Sequence, residues 1–395
     1  MPDFVGGNRI TLLRNGAQYF PDLVAVLDAA QVEIYLETYI FADDETGSLI
    51  AAALARAAVR GVATHLLIDG FGSIDFPARL RSLLEQAGVA LYVYRPRFLP
   101  WKVRWPREPL RRMHRKLASV DGAVAFVGGI NVIEDFETPE RSAPRRDYAV
   151  RIEGPLAARV RDEAAKLWRR VGWLGFKRRL PGFVAPEGRG RQPTPLPILP
   201  AGNQRAALVV RNNLRHRRDI EDAYIEQIDA AGSEVLLANA YFFPTRRFRH
   251  ALLRAARRGV GVTLLLQGRV EHALQHFASR ALYRSLLGAG IRIHEYHSGF
   301  LHAKVAVFDG RVATVGSSNV DPFSLGLAQE ANVFIDDRGF ASELRASLHE
   351  AIETGARGVP QNYWRRLSFP LKARIWFDYR LMRLLMSVLG FSRLR

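Results

Sequence analysis

Two stretches of this chain carry the same set of polar residues in otherwise apolar surroundings. "MHRKLASVDGAVAFVGGIN" runs from Met113 to Asn131, and "LHAKVAVFDGRVATVGSSN" runs from Leu301 to Asn319. Both read H-x-K-x4-D, giving His114, Lys116 and Asp121 in the first and His302, Lys304 and Asp309 in the second. Both then place a glycine (Gly128, Gly316) and, three residues on, an asparagine (Asn131, Asn319). On a strand, residues i and i+2 share a face, so each imidazole projects beside its ammonium. Asp-Gly is a strong hairpin-turn signal. The returning strands end in small residues, which let backbone N–H groups approach an anion. An imidazole titrates near neutral pH and can act as nucleophile or as acid. One chance H-x-K-x4-D is expected only on the order of a few per cent of the time in a chain like this. Two at matched places exclude coincidence.

The elements that must position these residues are themselves written twice. "VEIYLETYIFADD" at 32–44 answers to "SEVLLANAYFFPT" at 233–245, and "ALARAAVRGVATHLLIDG" at 53–70 to "ALLRAARRGVGVTLLLQG" at 251–268. "LLEQAGVALYVY" at 83–94 answers to "LLGAGIRIHEY" at 286–296. Short β-rich runs alternate with Ala/Leu/Arg segments of helical period, so each copy reads strand, helix, strand, helix, strand and then a hairpin. Gly61 and Gly259 stand where helix C-caps are expected. The alternation predicts α/β units around mixed sheets. A Pro/Gly-rich linker is expected at 181–203, dividing a first repeat, 1–180, from a second, 204–360, with a tail at 361–395.

With 57 Lys and Arg against 39 Asp and Glu, the chain carries a net charge of +18, which seeks nucleic acid or anionic lipid headgroups. There are no cysteines, which excludes disulfides, thiolate nucleophiles and Cys-ligated zinc. Residues 1–20 lack a signal-peptide pattern, and no apolar run reaches the roughly 20 residues that cross a bilayer. The expectation is a cytoplasmic protein that can still lie on a membrane.

Duplicated H-x-K-x4-D with the following G-x-x-N resembles the phospholipase D superfamily, over nearly the whole chain. Within it, "LLRNGAQYFP", "RRMHRK", "RDYAVRIEGP", "NAYFFP" and "TVGSSNVDPFSLGLAQEAN" are similar to the bacterial cardiolipin synthases. The resemblance implies two tandem α/β/α repeats packed pseudo-symmetrically around one shared active site. It also implies phosphatidyl transfer between two phosphatidylglycerol molecules through a phosphohistidine, with no metal or other cofactor. Hydrolytic phospholipase D, transfer with other donor or acceptor lipids, and a metal-independent nuclease are the alternatives; nucleic acid is not the expected partner. By analogy His114 attacks and His302 protonates the leaving alcohol, the exchanged roles being the alternative, while Lys116, Lys304, Asn131, Asn319 and Ser317 cover the phosphoryl oxygens. Asp121 and Asp309 are expected to fix the imidazole tautomers. Glu37 and Asn239 are taken as corresponding strand positions, each with a substrate-binding role weighed against a structural one at a sheet end. Glu330 fits an acidic position of the family and is expected to fix a lysine. Asp147 is read as structural, and His65, His216, His250, His272, His276, His294 and His297 as surface or structural. Gly129 and Phe323 depart from the Ser or Thr and the Arg that many members carry there.

Three segments mix Arg and Lys with Trp, Phe and Leu: 95–112, 166–180 and 363–395. The first is expected to form a membrane-facing rim of the active site; its four prolines bar a regular helix. In the last, Leu371, Ile375, Met382, Leu385 and Leu389 form one helical stripe, for the membrane interface or for the protein's own body. The implied location is peripheral, on the cytoplasmic face of the bacterial cell membrane, with phosphatidylglycerol as the lipid partner.

Overall fold

The computed structural model describes residues 2–95, 112–136, 143–177, 199–212, 216–321, 324 and 328–388. The first half contributes β1 (Val5–Arg14), α1 (Asn15–Ala29), β2 (Glu33–Thr38), α2 (Glu45–Val59), β3 (Ala63–Asp69), α3 (Ala78–Gln86) and β4 (Ala90–Tyr94). Then come β5 (Leu117–Val120), β6 (Val124–Gly128), β7 (Arg145–Arg146), β8 (Tyr148–Glu153) and α4 (Pro155–Lys177). The second half repeats the plan with β9 (Gln204–Arg211), α5 (Asp219–Ala230), β10 (Glu234–Asn239), α6 (Arg246–Arg257), β11 (Gly261–Gln267), α7 (Ala273–Arg280), α8 (Tyr283–Leu287) and β12 (Arg292–Tyr296). It continues with β13 (Phe300–Leu301), β14 (Lys304–Phe308), β15 (Val312–Gly316), β16 (Glu330–Asp336) and α9 (Arg338–Gly355). Two short pieces, β17 (Ala356–Gly358) and α10 (Tyr363–Arg366), and the 20-residue helix α11 (Phe369–Val388) close the chain. Each half therefore holds one more helix–strand step before its hairpin than the sequence pattern alone suggested.

The strand order shows the duplication directly. The large sheet runs β17-β12-β11-β10-β14-β15-β16-β9-β1-β8-β6-β5-β2-β3-β4. Read outward from the β9–β1 seam, both halves give the same order, with parallel outer strands and an antiparallel hairpin beside them. β6 and β8 of one half also lie against β15 and β16 of the other. One apolar core is shared: Ile10, Leu12, Val150 and Ile152 join Val305, Val315 and Val333, with α4 and α9 supplying Val160, Leu344 and Leu348. Each half adds a private core under its own outer helices. The shared core makes the relative placement of the two halves a packing matter, which a site spanning both requires.

Residues 181–198 of the expected linker lie outside the described residues, as do residues 96–111 of the expected rim. In α11 the apolar stripe divides. Ile375 and Met382 are buried, Met382 in the second half's core, whereas Leu385 is exposed and Leu389 lies outside the described residues. Phe369, Trp376, Phe377 and Leu384 face outward.

Candidate active site

The two Asp-Gly turns shape the hairpins that carry the histidines. Asp121 and Gly122 both have positive φ (55° and 67°), as do Asp309 and Gly310 (51° and 58°). This is the primed two-residue turn, closed by Ala123 N–H to Val120 O and by Arg311 N–H to Phe308 O, each 3.0 Å. The two aspartates do not fix the imidazoles as expected. Asp121 accepts from the backbone N–H groups of Gln31, Val32 and Glu33, and Asp309 from those of Gly232, Ser233 and Glu234. A strand rises about 3.3 Å per residue, which puts each aspartate on the order of 20 Å from its histidine, at the far end of the hairpin. Each instead locks its hairpin to the start of the neighbouring strand. Burial alone would raise Asp309, but the three backbone N–H groups and the Ser233 hydroxyl outweigh it and hold the carboxyl below its ordinary value.

Two other carboxylates hold the imidazoles, and each comes from the opposite half. His114 Nδ1 donates to Glu330 Oε1 at 2.9 Å, and His302 Nδ1 donates to Asp147 Oδ2 at 2.5 Å. A carboxylate only accepts, so Nδ1 carries the proton and Nε2 presents its lone pair. The backbone enforces the exchange. Met113 bridges to Gln329, and His114 N–H donates to Gln329 O. Correspondingly, β13 pairs with β7, and His302 N–H donates to Arg146 O. Asp147 and Glu330 are equivalents: Gly129 N–H donates to Tyr148 O as Ser317 N–H donates to Ala331 O. The reading of Asp147 as structural is corrected accordingly; Glu330, expected to fix a lysine, bonds an imidazole while its charge also attracts Lys116 and Lys304. Asp147 directly precedes β8 and Glu330 opens β16, so aligning the repeats on those strands would have exposed them.

Burial sets the charge states. It drives His302 down to about 3, with Lys304 adding to the depression and Asp147 opposing it. His114 is likewise lowered by burial, against the pull of Glu330. Lys116 and Lys304 are almost fully buried, and each ammonium donates to the carbonyl of its own histidine. Burial lowers Lys116 to about 7 and Lys304 to about 8, against the attraction of the two acids. For Asp147 burial pulls upward, but Lys304 and His302 win and leave it below its ordinary value. The site thus holds two neutral imidazoles and two ammonium groups that titrate close to neutrality.

His114, His302, Asn131 and Asn319 all line one cavity of about 470 Å³. Asn131 Oδ1 accepts from Ile40 N–H, whereas Asn319 Oδ1 is buried without a partner. The remaining candidates sit elsewhere. Ser317 is fully buried with its hydroxyl on Glu330, so it steadies the acid and does not line the cavity as expected. Gly128 and Gly316 are required by packing, not as an anion cradle: a Cβ would lie 2.5 Å from Ala149 Cα and 2.3 Å from the Asn332 side chain. Gly129 has the same explanation, since its Cβ would stand 2.3 Å from Asp147 Oδ1. Where the second repeat pairs a serine with a glutamate, the first pairs a glycine with the shorter aspartate. Phe323 lies outside the described residues.

Glu37 is corrected too. It faces away from the cavity in a buried bidentate pair with Arg115, 2.7 Å to Nε and 2.6 Å to Nη2. It is not the counterpart of Asn239 either. Glu37 pairs across the sheet with Leu117, but Asn239 pairs with Lys304, one position over and so on the other face. The true counterparts of Arg115 and Glu37 are Ala303 and Ala238. Several lining residues escaped the sequence reading. Tyr39 packs its ring edge-on to His114, centroids 4.9 Å apart, and Lys116 stands 5.3 Å from the same ring. Arg112, Arg145, Glu271 and His272 line the cavity as well, His272 against expectation. Arg112, Glu271 and His272 sit on loops and Arg145 on the two-residue β7, without repeat symmetry, so no pattern marks them.

The sequence model described as "Cardiolipin synthase, PLD-like domain" matches residues 23–168 and 224–352. The chain belongs to the cardiolipin synthase family of phospholipase D-like proteins. Cardiolipin synthase B of Escherichia coli K12 is 38% identical over 98% of this chain and 88% of its own length. Cardiolipin synthase A of Pseudomonas putida is 31% identical over 88% of this chain and 69% of its own. In fold, the chain is similar to the crystal structure of phosphatidylserine synthase from Haemophilus influenzae, with a TM-score of 0.65 at 14% identity, covering 98% of this chain and 93% of that one. The two segments matched by the cardiolipin synthase model each contain one H-x-K-x4-D motif, so the family match and the duplicated site coincide.

Proposed function

We propose that this chain makes cardiolipin, moving a phosphatidyl group from one phosphatidylglycerol to the primary hydroxyl of another and releasing glycerol. The observation that carries the proposal is the pair of imidazoles on one cavity, each tied through Nδ1 to a carboxylate of the other half. A neutral His114 Nε2 and a His302 imidazolium, protonated at Nε2 once the anionic phosphodiester is bound, allow a two-step in-line exchange on one phosphorus. His114 Nε2 attacks phosphorus; the P–N bond forms as the P–O bond to glycerol breaks, and His302 gives its proton to the departing oxygen. The acceptor hydroxyl then loses its proton to His302, its oxygen forms the new P–O bond, and the P–N bond breaks. The proton count closes over the cycle.

The site's own groups have clear tasks in this scheme. Lys116, Lys304, Asn131 and Asn319 cover the charge on the phosphoryl oxygens. The substrate's negative charge beside His302 favours the imidazolium that burial disfavours. Asp147 and Glu330 hold the tautomers and stabilise each imidazolium as it forms. The assignment of attack to His114 follows the family resemblance, since both imidazoles are buried, neutral and similarly bonded. The same reading takes 1–180 and 204–360 as the two repeats. It places the chain on the cytoplasmic face of the membrane as a peripheral protein. Among the described residues no helix is long and apolar enough to cross a membrane.

The test is purified protein with phosphatidylglycerol vesicles in a chelator, with products separated by mass spectrometry. Cardiolipin and glycerol in equal amounts are expected. Phosphatidic acid without cardiolipin replaces the reading by hydrolysis, and cleavage of labelled DNA in place of lipid replaces it by a nuclease.

A further inference from the structure

A second cavity, larger than the first at about 890 Å³, lies between α6, α8, α10 and α11, and its lining does not include the catalytic histidines. Five arginines line it: Arg246, Arg249, Arg284, Arg380 and Arg383. No carboxylate does, among the described residues. The contrast with the rest of α6 is informative. Arg247 and Arg254 on the same helix are bonded to Asp222 and Asp229, each at 2.7 Å. Arg249, turned to the groove, has its Nε buried without a partner. Arg246 and Arg249 also stand in the first turn of α6, where the helix dipole is already positive and acidic residues are the stabilising choice. Such charge is costly unless an anion is bound there.

The walls say which anion. Trp364, Trp376 and Tyr379 line the groove beside the arginines, and Arg380 stacks on Trp376 at 4.9 Å. The outward face of α11 continues it with exposed Phe369, Trp376, Phe377 and Leu384. Arginines below an exposed aromatic and leucine face match a phosphate held under acyl chains. A nucleic acid has no use for the leucine and phenylalanine. We propose that this groove is a second, non-catalytic site for the phosphodiester headgroup of an anionic glycerophospholipid. It holds the chain on the membrane while the histidine cavity reacts, and so rests on the reading that the substrate is a membrane lipid. The two cavities share a wall element: His272 and Gln275 at the start of α7 line the first, and Ala281 and Leu282 just past its end line the second. Eight helical residues span about 12 Å.

The test uses the full chain and the triple variant Arg246→Gln/Arg284→Gln/Arg380→Gln. All three residues are exposed, one on each of three walls, so the fold is not at stake. A control removes three exposed arginines outside the groove, Arg257→Gln/Arg338→Gln/Arg357→Gln. Binding is read by sedimentation with vesicles of phosphatidylglycerol in phosphatidylcholine. Each juxtamembrane arginine contributes roughly fivefold, so the groove variant is expected to lose about a hundredfold and the control under tenfold. Turnover of phosphatidylglycerol in detergent micelles is expected to stay within twofold of wild type. Equal losses in the two variants overturn the site. Displacement of the vesicles by micromolar glycerol phosphate, or by an oligonucleotide, overturns its assignment to lipid. Wild type that binds vesicles through the groove but yields no cardiolipin in micelles refutes the proposed reaction and leaves the site standing.

Discussion

Replacing Asp147 by Asn keeps the shape of the side chain and removes the charge that faces His302. The structure sets the size of the effect. The carboxylate lies 2.5 Å from Nδ1 in an almost dry site. With the imidazolium charge spread over the ring, the mean separation is about 4 Å, worth about 4 kcal/mol at an effective dielectric constant of about 20. The amide dipole recovers about 1 kcal/mol of that as a neutral hydrogen bond. About 3 kcal/mol is therefore lost whenever His302 is protonated, which corresponds to roughly 150-fold in kcat. The pH profile separates this from a merely structural defect. Asp147 raises both His302 and Lys304. Without it Lys304, already down to about 8, falls further, and the alkaline limb of the kcat/KM profile moves to lower pH. The assay is initial-rate cardiolipin formation from pH 5 to 9, with thermal unfolding as a check on the fold. A loss below threefold, with the alkaline limb in place, would refute the role given to Asp147.

The other predictions follow from the same geometry. Gly129→Ser brings a Cβ to 2.3 Å from Asp147 Oδ1 and should cost at least tenfold in kcat, whereas Gly129→Ser/Asp147→Glu rebuilds the second repeat's pairing and should recover part of the loss. Wild-type kcat/KM should fall as pH rises through 7 to 8, because Lys116 and Lys304 lose the protons that bind the phosphodiester; a flat profile there contradicts their depression. In a thermodynamic cycle, Arg115→Ala and Glu37→Ala should each destabilise by about 3–5 kcal/mol as one buried charge is left alone. The double variant should cost much less than the sum, measured by urea unfolding. Asp309→Ala, which strips three backbone N–H groups of their acceptor, should lower stability by about 1–3 kcal/mol while the folded enzyme keeps kcat within a few-fold.

Much of this architecture was legible because it is written twice. The matched H-x-K-x4-D motifs identified the hairpins, and the α/β alternation gave the two-half plan that the strand order displays. What misled was chain proximity. Asp121 and Asp309 stand close to their histidines in sequence, and a carboxylate near an imidazole invites a triad. Along a strand, however, seven residues are a long way, and the turn aspartates are spent on backbone N–H groups. The acids that do meet the imidazoles, Asp147 and Glu330, come from across the seam, where contact depends on how β6 and β8 lie against β15 and β16. Glu37 failed for a finer reason. Matching Glu37 to Asn239 steps one residue off the alignment of 32–44 with 233–245, which moves a side chain to the opposite face, and the partner Arg115 has no charged equivalent in the second repeat.

The central claim is that one histidine from each half acts on a single phosphorus through a covalent intermediate. It is tested most directly by quenching the enzyme during turnover of phosphatidylglycerol labelled in the phosphate, and mapping the labelled peptide by mass spectrometry. The account predicts label on His114 in the wild type, and slower labelling of His114 in His302→Ala because the leaving glycerol lacks its acid. Label on His302 would reverse the two roles. Cardiolipin formed at full rate with no labelled histidine would contradict the mechanism altogether.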